Sequence, residues 1–68
     1  MVVARYKSNS KSSPEFINIH KYESDGKLRI EVITNSWDGE VGGVYETLSE
    51  VEAFLAKRDR VFGYTRTW

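Results

Sequence analysis

Apolar and polar residues alternate through Phe16-Ile17-Asn18-Ile19-His20-Lys21-Tyr22. Side chains along a strand point to opposite faces in turn, so Ile17 and Ile19 share one face and Phe16, Asn18, His20 and Tyr22 the other. The alternation resumes from Leu28 to Asn35, with Leu28, Ile30 and Val32 on one side and Arg29, Glu31 and Ile33 on the other. Between the two runs lies Glu23-Ser24-Asp25-Gly26-Lys27. Asp-Gly between alternating runs is a strong hairpin signal, because the turn needs backbone that glycine adopts without strain. The spacing predicts a hairpin whose two isoleucines pair with Leu28, Ile30 and Val32 on the core side.

The period changes after Tyr45. Thr47-Leu48-Ser49-Glu50 has capping-box spacing, with a hydroxyl at the N-cap and a carboxylate three residues on. Leu48, Val51, Phe54 and Leu55 form an apolar stripe at helical spacing, which should cover the core face of the hairpin. Acids at Glu46, Glu50 and Glu52 suit the positive end of the helix dipole, and Lys57 and Arg58 its negative end. The helix is expected to end near Arg58 to Arg60. Trp37-Asp38-Gly39 offers a second turn and Val41 to Tyr45 a third strand, with Gly42 and Gly43 marking a bulge.

The ends of the chain are less regular. Val2 to Lys7 can form a short strand. Residues 8–15, rich in Ser, Asn and Lys and closed by Pro14, read as a mobile loop. Val61 to Trp68 alternates, with Phe62, Tyr64, Arg66 and Trp68 on one face, as a last strand would. The expected fold is α+β: an antiparallel β-meander of three to four strands packed against one α-helix, in a single small domain over residues 1–68.

Charge changes the picture. Ten basic and ten acidic residues give a formal net charge of zero, yet the signs are segregated. Residues 31–56 hold six acids and no Lys or Arg, whereas residues 1–30 hold six bases against three acids. Segregation gives a dipolar surface suited to steering a charged partner. Zero net charge argues against a general nucleic-acid binder, so no direct nucleic-acid partner is expected. No run approaches the length of a membrane span, and the start of the chain lacks a signal-peptide pattern, so a soluble intracellular protein is expected.

The chain has no Cys and one histidine, His20, so a metal site would depend on carboxylates; none is expected, and no cofactor. Glu46, Glu50 and Glu52 read as a solvated helix face rather than an acid/base pair. The serines have no His/Asp arrangement, and Gly42-Gly43 lacks the context of a phosphate loop. No enzymatic activity is expected. The aromatics Tyr6, Phe16, Tyr22, Trp37, Tyr45, Phe62, Tyr64 and Trp68 outnumber what a thin core can hide. Those left outside fit interface anchors, and beside Lys and Arg they also fit base stacking. Trp37 and Tyr64 are candidate contacts on this ground. Glu50 and Glu52 are candidates through the steering field of the acidic block.

Asn18-Ile19-His20-Lys21-Tyr22-Glu23 with Lys27 opening the return strand, Val41-Gly42 ahead of Tyr45-Glu46-Thr47, and Val51-Glu52-Ala53-Phe54-Leu55 together resemble a phage-encoded anti-CRISPR family. The similarity runs from about Phe16 to Leu55. That family inhibits the type I-F crRNA-guided surveillance complex. The resemblance implies a small α/β protein acting in the host bacterial cytoplasm, binding a backbone subunit of that complex and blocking target-DNA hybridisation. The family's contact tyrosines fall on Tyr6 and Tyr22. Its contact carboxylate falls on Ile33, with Glu31 two residues earlier on the same strand face in a position to replace it. The chain departs from the family after Leu55, where further helix gives way to Val61–Trp68.

Three strands followed by a helix are also similar to AP2-like DNA-binding domains of integrases, in which a three-stranded sheet enters the major groove. Arg29, Lys21 and Lys27 would then be the readers. A homodimer through the aromatic last strand is compatible with either function.

Overall fold

The computed structural model describes residues 1–12 and 14–68. Five strands and one helix follow in the order β1 (Val2–Ser8), β2 (Phe16–Lys21), β3 (Leu28–Ile33), β4 (Asp38–Tyr45), α1 (Leu48–Arg58) and β5 (Tyr64–Arg66). The strands form one antiparallel sheet in the order β4-β3-β2-β1-β5. The sheet therefore has five strands rather than three or four, because both ends of the chain join it. Of the expected loop over 8–15, Ser8 belongs to β1 and Ser13 lies outside the described residues. The Ser8 N–H donates to the Glu15 carbonyl at 2.8 Å, closing the β1–β2 connection.

The central hairpin is in unbroken register, with Ile17 opposite Val32, Ile19 opposite Ile30 and Lys21 opposite Leu28. Its turn is fixed by Gly26 at φ +69° and by the Asp25 carboxylate, which accepts the Lys27 N–H at 2.9 Å. β1 adds Ala4 opposite Ile19 and Tyr6 opposite Ile17. Ala4, Tyr6, Ile17, Ile19, Leu28, Ile30, Val32, Val51 and Leu55 form the buried core. Burying each large aliphatic side chain stabilises the fold by about 1.5–3 kcal/mol, and this supplies most of what holds so small a domain together.

The helix begins as its sequence dictates. The Thr47 hydroxyl accepts the Glu50 N–H at 3.3 Å, and the Glu50 carboxylate reaches back to the N–H of Glu46 at 3.2 Å, one residue before the cap. At the other end the Asp59 carboxylate accepts the N–H groups of Val61 and Phe62 and turns the chain toward β5. The second turn lies earlier than Trp37-Asp38-Gly39. The Thr34 hydroxyl donates to the Trp37 carbonyl and accepts the Trp37 N–H, both at 2.8 Å, so Asp38 and Gly39 are already strand. β4 then passes through Gly42 at φ +73°, where its pairing with β3 shifts register.

The last segment keeps its alternation only in part. Tyr64 pairs with Ser8 and Arg66 with Tyr6, which places both on the helix side. Beyond them the N–H groups of Thr67 and Trp68 both reach the Arg5 carbonyl, and the Trp68 ring crosses to the opposite face, against Arg5.

Candidate interaction face

α1 covers one face of the sheet. The other face carries Arg5 and Lys7 from β1, Phe16, Asn18 and His20 from β2, Arg29, Glu31 and Ile33 from β3, and Asp38 and Glu40 from β4. No described element packs over it. The segregation of charge along the chain becomes segregation across this face. β1 presents two cations and no acid, and β4 presents two acids and no cation. Three strand spacings, about 14 Å, separate them. None of these four side chains is in an ion pair among the described residues.

The middle of the face is organised by hydrogen bonds. Glu31 accepts from the Asn18 amide at 3.0 Å and lies 3.0 Å from His20 Nε2. The bond from Asn18 first, and then that with His20, holds its carboxyl below the ordinary range. Glu40 stands directly opposite Glu31 on the neighbouring strand. Like charges at such a pair repel, so this part of the face gains from any cation placed over it. At the hairpin end the Arg29 guanidinium lies 4.1 Å from the centre of the Tyr22 ring and forks onto Asp25, the shorter contact being 2.8 Å. Arg29 first, with help from the Lys27 N–H, pulls the Asp25 carboxyl down to about 2. Tyr22 is 43% exposed, so its ring is fixed in orientation yet open to a partner.

The sequence-derived contact residues do not form one surface. Tyr22 and Glu31 share the helix-free face. Tyr6 does not: its ring is 4% exposed beneath the helix, and its hydroxyl donates to Glu52 at 2.8 Å. Both residue sets of β1 contain apolar side chains, so alternation alone left open which set turned inward, and the packing under α1 took Ala4 and Tyr6. Glu52 is accordingly the acceptor for a core tyrosine, and Glu50 serves the helix cap. Tyr64 donates its hydroxyl to Glu15, which also takes the two-pronged contact of Arg58 at 3.0 Å. Trp37 is half-exposed and lies across Gly39, on the residue row that faces the helix side.

Sequence reasoning missed the opposite corner of the face. Arg5 lies over the Trp68 ring at 5.1 Å, and Lys7 over the Phe16 ring at 5.8 Å. The alternation of β1 contained the signal for the two cations. The arrival of Trp68 beside them depends on the long-range β1–β5 pairing.

Between α1 and β5 lies an open groove of about 390 Å³ lined by Tyr6, Glu52, Leu55, Ala56, Gly63, Tyr64 and Arg66. Among the described residues no group of three or more His, Asp or Glu is placed to hold a metal ion. Among the described residues no helix is long and apolar enough to cross a membrane. No family model, curated protein or solved structure matches the chain.

Proposed function

We propose that this chain is a binding protein that docks its helix-free sheet face on a larger charged partner, and that the partner is a backbone subunit of a type I-F crRNA-guided surveillance complex, whose target-DNA hybridisation it blocks. The observation that carries the reading is the joint placement of Tyr22 and Glu31 on an uncovered face, each held by neighbours in a fixed orientation. A preorganised aromatic anchor loses little freedom on docking, and anchors of this kind dominate protein interfaces. The acidic half of the face, with Glu31, Asp38 and Glu40, suits a basic surface of the sort that holds a guide–target duplex. Inhibition would then be steric and electrostatic occlusion, with no bond made or broken by the chain.

The AP2-like reading has less support. Arg29 is engaged by Asp25 and Tyr22, Lys27 pairs with Glu46 at 3.7 Å, and Lys21 lies on the opposite residue row from Arg29. A sheet entering a major groove needs its cations free and on one face.

The test is a gel shift of duplex target DNA by a purified type I-F complex, with and without the protein. The expected result is loss of the DNA shift with co-elution of the small protein. Tyr22→Ala should weaken that association by about tenfold or more while the circular-dichroism melt is preserved. A complex that binds target normally in a saturating excess of the protein would refute the reading.

A further inference from the structure

We infer that the corner of the open face formed by Arg5, Lys7, Phe16 and Trp68 is a binding site for single-stranded nucleic acid. This concerns the other half of the face from the one assigned above and does not depend on that assignment.

Two observations combine. Phe16 and Trp68 are 51% and 60% exposed, so both rings are open to a stacking partner. Each ring has a cation beside it, and neither cation has a carboxylate partner among the described residues. Every base offers a π-face, so a sheet presenting aromatic rings beside cations takes a single strand through stacking and phosphate contact together. A duplex is excluded on the same grounds, because its bases are already stacked and the rings would have nothing to receive. Arg5 and Lys7 are alternate residues of one strand, roughly 7 Å apart, so they can follow a backbone that passes across the rings.

Ring faces and cations read bases and phosphates and not the sugar, so DNA and RNA strands share the chemistry that this corner recognises. The zero net charge of the chain does not oppose the site. The acids on this face lie two and three strands away from β1, and their field instead confines a polyanion to the basic corner.

The experiment uses a labelled ten-nucleotide oligothymidylate, read by anisotropy and by quenching of Trp68 fluorescence in a Trp37→Phe background. A dissociation constant of about 1–100 µM is expected at low salt, with a log–log salt slope near −1.4 for two phosphate contacts. Trp68→Ala and Phe16→Ala should each weaken binding about five- to a hundredfold. Arg5→Gln with Lys7→Gln should remove most of the salt dependence. Lys57→Gln with Arg60→Gln, the same charge change at the end of the helix, should leave binding unaltered. Phe16→Leu keeps an apolar side chain on β2 and must also weaken binding, which separates stacking from loss of fold.

The proposal is overturned by absence of binding at millimolar oligonucleotide. It is also overturned if an equal-length duplex binds tenfold tighter than the thymidylate strand; an equal-length oligouridylate compared with the thymidylate shows which sugar the site prefers. Equal competition by polyglutamate, charge for charge, would make the corner a site for acidic protein and likewise overturn it. Failure here leaves the surveillance-complex assay untouched, since that assay reads duplex-target binding by a different assembly.

Discussion

Tyr6 gives the sharpest test of how the helix is fixed to the sheet. Tyr6→Phe keeps the buried ring and removes only the hydroxyl that donates to Glu52 at 2.8 Å. A hydrogen bond to a charged group contributes about 1.5–3 kcal/mol, and an exposed carboxylate recovers part of this from water. The cost at neutral pH should therefore be about 1–1.5 kcal/mol. The pH dependence is more diagnostic. Burial first, and the bond to Glu52 second, push the Tyr6 hydroxyl from 10.0 up to about 12. The unfolded chain therefore releases this proton before the folded one does. The associated stability is complete below pH 10 and is lost as pH rises toward 12. At 1.36 kcal/mol per unit this is about 2–3 kcal/mol, a large share of what a domain of this size possesses. Urea unfolding of the wild type and Tyr6→Phe at pH 7, 10 and 11.5, followed by circular dichroism, reads it directly. The wild type should be more stable at pH 7, and its advantage should vanish or reverse by pH 11.5. Ionisation of lysines affects both chains alike and cancels in the comparison. Two curves that fall in parallel across this range would refute the reasoning and return the Tyr6 hydroxyl to solvent.

Glu15→Gln should cost about 1–2 kcal/mol, because the carboxylate joins Arg58 on the helix to Tyr64 on β5. Arg58 above all lowers its pKa from the ordinary 4.5, so that contribution is present above this value and fades as pH falls below it; a variant that lost stability between pH 5 and 3 as steeply as the wild type would count against it. Gly39→Ala should displace the Trp37 indole lying on that glycine, seen as a shift in its emission, at a cost below about 1 kcal/mol because the half-exposed ring can swing into solvent; unchanged emission would show that the ring does not rest there. Asp38→Asn with Glu40→Gln should slow association with the proposed protein partner chiefly at low salt, and an on-rate indifferent to charge and salt would remove steering from the account.

What could be seen in the sequence was what local chemistry determines. The β2–β3 hairpin declared itself because Ile17, Ile19, Leu28, Ile30 and Val32 keep strict alternation around Asp25-Gly26. The helix declared itself through Thr47 and Glu50. The turn before β4 was misplaced because a threonine hydroxyl closes it, and Thr34 carries no stronger mark than its neighbours. The β1–β5 pairing joins residues almost a whole chain apart, and no short-range pattern encodes it. With that pairing went the position of Trp68, and the inward turn of Tyr6 was undecided for a related reason. Tyr22 and Glu31 came from the family resemblance, and only their placement on the helix-free face was legible in the alternation of the hairpin.

The pairing of β5 with β1 also has a practical bearing on how the molecule can be handled. Met1 bonds across to Lys21, and Trp68 lies against Arg5, so both ends of the chain leave the sheet at the same corner. Any tag, dye or fused domain attached at either end would hang beside the Arg5–Trp68 pair and would interfere with measurements there. Ala53 is exposed on α1, which covers the opposite face of the sheet. A single cysteine placed there gives an attachment point that leaves the open face unobstructed.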